Sequence, residues 1–208
     1  TTIAPKISKD LEPLAQEERK YKSAEEFVSN FENKSGKFKE TGGNWNKRYH
    51  GTGEVFDKFE LQDSKNLGPN AIYFTPERSS AEYYARGKSP SIKEAFVDES
   101  NLFDYEKPED VEKLWSVLGK KTKDEIMGFE TTDYVTIDKI KKDITSGKYD
   151  IIEKDVVQDA IRKAGFDGFH IRDYTGPKVT AIFNPEKIKT KSQLTDFYNK
   201  AVGGAKEI

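Results

Sequence analysis

Ala71-Ile72-Tyr73-Phe74-Thr75-Pro76 runs directly into Glu77-Arg78-Ser79-Ser80-Ala81-Glu82-Tyr83-Tyr84-Ala85-Arg86-Gly87, and the fold is decided on this stretch. Ala71–Phe74 is small, β-branched or aromatic throughout, the composition of a short buried strand. Thr75 supplies a helix N-cap, Pro76 suits the first helical position and Gly87 is a stop, so the spacing predicts a helix over Pro76–Arg86. A strand turning straight into a helix brings two tyrosines, Tyr73 and Tyr84, to one corner. Two rings so placed can clamp a flat heterocycle, each stack contributing on the order of 1–3 kcal/mol. The structural alternative is that both pack in the core.

Upstream, Tyr49-His50-Gly51-Thr52 closes a predicted strand at Lys47–Thr52. Here a glycine lets a ligand reach the backbone, an imidazole can donate to a sugar hydroxyl and a threonine can add a hydrogen bond. A strand that merely ends in a glycine turn reads the same way. Further strands are predicted at Ile92–Val97, Gly168–Ile171 and Val179–Phe183. Helices are predicted at Pro108–Leu118, Tyr134–Ile144, Lys154–Ala164 and after Thr190. Ser23–Asn33 is another, opened by a Ser23/Glu26 capping box. Strands mixed with helices, without regular alternation or repeat, give an α+β fold. Residues 1–46 read as an N-terminal arm with one helix and residues 47–208 as the domain. Within the latter, Lys88–Asp133, with Trp115 and Phe129, reads as a charged insertion suited to recognising an acceptor, or as a helical cap over the sheet.

Composition narrows the chemistry. Across 208 residues, 35 Lys and Arg nearly balance 37 Asp and Glu, so no global field holds a nucleic acid or an anionic membrane. Cysteine is absent, which removes disulfides, thiolate metal sites and a thiol nucleophile. His50 and His170 are the only histidines, so no multi-histidine metal site exists and no metal is expected. No apolar run approaches the roughly 20 residues of a membrane span, and no membrane partner is expected. Beginning at Thr1, the chain reads as a piece of a longer polypeptide.

Taken together, the His50-Gly51-Thr52 strand end and the Tyr73-to-Tyr84 turn resemble the His-Tyr-Glu branch of the ADP-ribosyltransferase fold. The succession Tyr149-Asp150-Ile151-Ile152-Glu153, Ala164-Gly165-Phe166-Asp167-Gly168-Phe169 and Ala181-Ile182-Phe183-Asn184-Pro185-Glu186-Lys187-Ile188-Lys189 narrows the likeness. It is similar to the ADP-ribosyltransferase domains of bacterial and phage polyvalent proteins, from about Tyr49 to Thr190. The resemblance implies a split, mixed and antiparallel β-sheet core with surrounding helices. It implies NAD as co-substrate, bound by His50, Gly51, Thr52, Tyr73 and Tyr84, with the nicotinamide between the two tyrosines. Tyr83 is the register alternative to Tyr84.

The departure concerns the acid. Glutamate-bearing members carry it at the start of the penultimate core strand, where this chain has Lys178 and Val179. Asp173, just upstream, is the first candidate to replace it, with Glu153 and Asp167 as the others. The expected catalytic set is therefore His50, Tyr84 and Asp173. The implied activity is transfer of one ADP-ribose unit to a macromolecular acceptor, a protein with nucleic acid left open, by a monomeric toxin or phage effector in the cytoplasm of a target cell. Three alternatives stand beside it: a degenerate fold that binds NAD or a protein without turnover, an interaction module of a larger polyprotein, and phosphate transfer from RNA. The last would need clustered arginines that the sequence lacks.

Overall fold

The computed structural model describes residues 12–34, 37–38, 43–61, 71–128, 135–173 and 176–203. In chain order its elements are α1 (Glu12–Glu18), α2 (Ala24–Lys34), β1 (Lys37–Phe38), β2 (Gly43–Thr52), β3 (Ile72–Phe74), α3 (Arg78–Tyr84), β4 (Ser91–Asp98) and β5 (Leu102–Phe103). There follow α4 (Pro108–Leu118), α5 (Lys123–Met127), α6 (Ile137–Thr145), α7 (Tyr149–Ile152), α8 (Asp155–Lys163), β6 (Gly168–Arg172), β7 (Lys178–Ile182), β8 (Ile188–Lys189) and α9 (Lys191–Gly203). The strands form two four-stranded sheets, ordered β1-β2-β4-β8 and β3-β7-β6-β5. The first is antiparallel throughout, whereas the second carries one parallel pair, β5 with β6. The fold is α+β.

Side-chain parity explains how the layers stack, because successive residues of a strand face opposite ways. In β4, Ala95 and Val97 point between the sheets, where they meet Phe74, Ile182 and Ile188, while Phe96 points outward. There Phe96 and Trp45 are covered by Leu14, Phe27, Phe31, Leu194 and Tyr198 from α1, α2 and α9. In the second sheet Phe103, Phe169, Ile171, Val179 and Ala181 take the outer face, under Leu114, Ile140, Ile152, Val157 and Ile161 of α4, α6, α7 and α8. Helices α1 and α2 of the predicted arm thus form, with α9, one of four layers, and residue 46 falls inside β2. The segment Lys88–Asp133 holds β4, β5 and α4, whose Val111, Leu114 and Leu118 are buried. Its described part contributes to the core and caps the sheet; Phe129 lies outside the described residues.

Two boundaries depart from the sequence reading for local reasons. The helix after β3 begins at Arg78, with Glu77 as N-cap, because Thr75 is held in a bridge to Tyr49. The predicted Tyr134 start also lies outside the described residues, and α6 begins after Thr136, whose hydroxyl accepts from the Lys139 amide. β5 and β8, two residues each, are too short to show alternation and were not foreseen.

Candidate functional site

Tyr49 and Thr75 tie the two sheets together: each amide donates to the other's carbonyl, both at 2.9 Å. Beyond this point β2 continues beside β4 while β3 stays with β7, so the strands part. A cleft of about 380 Å³ opens there, within the range of small-molecule sites.

His50 faces it from β2. Its Nδ1–H donates to the Tyr73 carbonyl at 2.8 Å, and its ring is boxed by Phe56, Phe59 and Phe74 at 6.0, 5.5 and 5.7 Å. Burial pulls the imidazole pKa down against the opposing pull of that carbonyl. A carbonyl only accepts, so the neutral ring keeps its proton on Nδ1 and presents Nε2 as a lone pair. Nε2 has no partner among the described residues. In this state the free ring nitrogen can accept a hydrogen bond but not donate one, whereas the sequence reading gave the imidazole a donor role. Phe56 and Phe59, which fix the ring, were missed; their only sequence signal is their spacing soon after the histidine.

Gly51 also lines the cleft, but its lack of a side chain serves the helix behind it. A Cβ there would stand 1.9 Å from the Ala81 carbonyl oxygen and 2.8 Å from the Ala85 nitrogen. The glycine lets α3 lie against β2, and so sets where Tyr84 stands. Thr52 is not among the residues lining the cleft; its hydroxyl accepts from the Glu54 amide at 3.2 Å.

Tyr73 and Tyr84 both line the cleft, and Tyr83 does not. Tyr83 is more than half exposed and carries the Arg86 guanidinium 4.3 Å above its ring. Tyr84, 44% exposed, stands at the rim and donates its hydroxyl hydrogen to the Asp173 carboxylate. Tyr73 is deeper. Its buried hydroxyl faces the Glu153 carboxylate short of hydrogen-bond geometry, and so has no formed hydrogen bond. Burial, then the Glu153 charge, raise the phenol far above its ordinary pKa.

The three acids separate clearly. Asp173, just after β6, and Glu153, between α7 and α8, both reach the cleft. Burial raises the Glu153 pKa, with the Asp173 and Asp150 charges adding to it against the Tyr73 hydroxyl. Asp167 does not reach the cleft; it is held by Asn101 at 3.1 Å and Lys187 at 3.3 Å. Val179 does line it, buried, while its neighbour Lys178 pairs with Asp104 at 2.7 Å and Glu106 at 2.9 Å.

On the opposite side of β7, Thr180 donates to Glu99 at 2.9 Å. Arg48 holds the same carboxylate through two bonds of 2.7 and 2.8 Å, and Asn46 donates to it at 2.8 Å. This clasp joins β2 to β7 across the two sheets. It had no sequence signal, because its members meet only in space.

A family model described as ADP-ribosyltransferase in polyvalent proteins matches residues 40–195, most of the chain. No curated protein matches. One solved structure, a crystal structure of an anti-CRISPR protein, is similar at 13% identity and a TM-score of 0.42, covering 70% of this chain and 93% of that one.

Proposed function

Because the chain belongs to the family of ADP-ribosyltransferases in polyvalent proteins, we propose that it transfers a single ADP-ribose unit from NAD to a macromolecular acceptor, a protein in this reading. The observation that carries the proposal is the convergence of His50, Tyr73, Tyr84, Glu153 and Asp173 on one cleft where two sheets part. Each group has a task that suits it. The His50 Nε2 lone pair accepts from a hydroxyl of the adenosine-side ribose. Tyr73 and Tyr84 flank the nicotinamide. A carboxylate of the cleft faces the ribose as nicotinamide leaves and positive charge builds on the sugar, as in glycoside cleavage. Phe74, Ile171 and Val179 wall the same space, and their apolar surfaces strengthen every charge interaction inside it. Stabilising the developing charge lowers such barriers by several kcal/mol. Use as a toxin or phage effector, in the cytoplasm of a target cell, is the setting proposed for it.

Val179 supports a second reading, a cleft that binds NAD without turnover and serves a larger polyprotein as a sensing or docking module. Calorimetry with NAD and chromatography of released nicotinamide separate the two. The transferase reading expects both signals, with Tyr84→Ala weakening NAD binding by about 10- to 100-fold through loss of one stacking ring. Binding without release supports the second reading, and absence of binding refutes both.

A further inference from the structure

Resting on the reading of the cleft as a transferase centre, we propose that Glu153, carried on the joint between α7 and α8, is its catalytic carboxylate. Glu153 stabilises the cationic ribosyl carbon and takes up the proton of the acceptor. The strand position where an acid would ordinarily stand holds Val179, and Asp173 serves to position Tyr84.

The joint holds Glu153 firmly. Its amide donates to the Tyr149 carbonyl at 2.9 Å, and its own carbonyl accepts at 2.9 Å from the side chain of Gln158, which has no exposed surface. The side chain is thus launched into the cleft from a fixed turn. No cation lies within ion-pair distance of it among the described residues, so its charge is available to a cation that develops in the cleft. Groups facing it from neighbouring elements are the Tyr73 hydroxyl from β3, Asp150 from α7 and Asp173 after β6, with Arg162 of α8 acting on Tyr73. Burial first, then the Asp173 and Asp150 charges, hold the Glu153 pKa up against the pull of the Tyr73 hydroxyl. A carboxylate so poorly solvated gains more from meeting positive charge than one in water. Asp173, by contrast, receives the Tyr84 hydroxyl hydrogen at the rim, an arrangement that orients the ring rather than faces the sugar.

The step balances as follows. The bond between ribose C1′ and the nicotinamide nitrogen breaks heterolytically, and its electron pair leaves on that nitrogen, cancelling the pyridinium charge. Positive charge passes to C1′ and the ring oxygen, beside the Glu153 carboxylate. A lone pair on the acceptor's nitrogen or oxygen closes on C1′, and the acceptor's proton moves to Glu153 and then to solvent. Neutral nicotinamide, the ADP-ribosylated acceptor and one proton result.

The test is single-turnover nicotinamide release at saturating NAD, beside calorimetric NAD binding and thermal unfolding, for wild type, E153Q, E153D and D173N. E153Q is expected to bind NAD within about 3-fold of wild type and to release nicotinamide about 100-fold more slowly or worse. E153D, which keeps the charge, recovers part of that loss. D173N costs roughly 10-fold, partly as weaker NAD binding, because Tyr84 loses its orienting partner. Wild-type release rises with pH through an inflection above the ordinary carboxylate range, and E153Q lacks that inflection. Release by E153Q within about 3-fold of wild type overturns the assignment and leaves the transferase reading standing. Equal losses in E153Q and E153D that track lowered melting temperatures also overturn it. Wild-type protein that binds NAD but releases nothing removes any catalytic role for Glu153, and wild-type protein that does not bind NAD fails the underlying reading itself.

Discussion

Asp167 and Asp173 stand immediately before and after β6, and the two ends of this strand have opposite surroundings. At the Asp167 end the Lys187 ammonium is shared between Asp98 at 3.0 Å and Asp167 at 3.3 Å, and Asn101 adds a hydrogen bond. At the Asp173 end two carboxylates, Asp173 and Glu153, face one cleft, and their repulsion helps to raise the Glu153 pKa. The same residue type therefore closes the fold at one end and lines an open site at the other. A buried carboxylate beside its cation is accounted for by folding alone. Like charges gathered in a cleft oppose folding, and their presence points to a ligand that carries or develops positive charge.

The comparison is tested most severely by removing the cation. Burial alone would lower the Lys187 pKa, but Asp98 and Asp167 raise it on balance, so the group is charged at neutral pH. Lys187→Ala leaves Asp98, 5% exposed, without its cation, and is expected to cost about 3–5 kcal/mol. In thermal unfolding this is a fall on the order of 10 °C for a chain of this size. Glu153→Gln relieves repulsion instead and is expected to leave the melting temperature unchanged or slightly raised. Equal destabilisation by the two substitutions would break the contrast.

The next largest effect concerns how the cleft is shaped. Gly51→Ala drives a methyl group toward backbone atoms of α3, with the Ala81 oxygen 1.9 Å from the new carbon. Backbone cannot rotate aside as a side chain can, so α3 must shift, at a cost of about 1–3 kcal/mol. Because α3 carries Tyr84, the shift also breaks the Tyr84–Asp173 hydrogen bond. Urea unfolding and NAD calorimetry should both register the change; wild-type values in both would mean that α3 can move off β2 without loss.

These two substitutions also mark what the sequence could reveal. Four of the five longer strands, β3, β4, β6 and β7, were legible because Val, Ile, Phe and Tyr alternate or cluster in them, and α4 was legible from Val111, Leu114 and Leu118 at helical spacing. His50, Tyr73 and Tyr84 were legible as a set because two motifs flank one strand-to-helix turn. The reason for Gly51 was not, since α3 approaches β2 only in three dimensions. Nor was the acid. In one dimension Asp173 ranks first only by its place just upstream of the strand, whereas the surroundings of the three acids are set by Lys187, Tyr84 and Tyr73, each distant in sequence from its acid. Thr52 shows a related point: a residue next to a site in sequence can turn toward its own backbone, here the Glu54 amide.

Glu18 sharpens the comparison from outside the cleft. It is 1% exposed in the layer of α1, α2 and α9, and one of its carboxylate oxygens has no partner. Burial, opposed by Arg19, raises its pKa from 4.5 to about 7. A carboxyl whose folded pKa is raised contributes stability that is full below the unfolded value and lost as pH rises through the folded one. The window here runs from about 4.5 to about 7. Glu18→Gln is therefore expected to stabilise the protein by roughly 1–3 kcal/mol at pH 8 and by little at pH 4.5, read from urea unfolding at both. A buried carboxylate outside this cleft would then show itself as a simple cost to folding, and the case for Glu153 rests on the cleft around it.

The smallest effect is the most discriminating. The Tyr73 hydroxyl is buried without a formed hydrogen bond, beside Glu153. Removing an unpaired buried hydroxyl while keeping the ring forfeits no bond, so Tyr73→Phe should change stability by less than about 0.5 kcal/mol, or stabilise slightly. The ring that packs edge-on against Phe169 at 6.1 Å is unchanged. The Glu153 carboxylate, however, loses the one neighbour that favours its charged form, and its pKa should rise further. The inflection in the pH dependence of nicotinamide release should then move to higher pH in Tyr73→Phe, with the plateau rate nearly preserved. A variant that lost several kcal/mol of stability would show that the hydroxyl has a structural partner, and the two ends of β6 would differ less than their surroundings suggest.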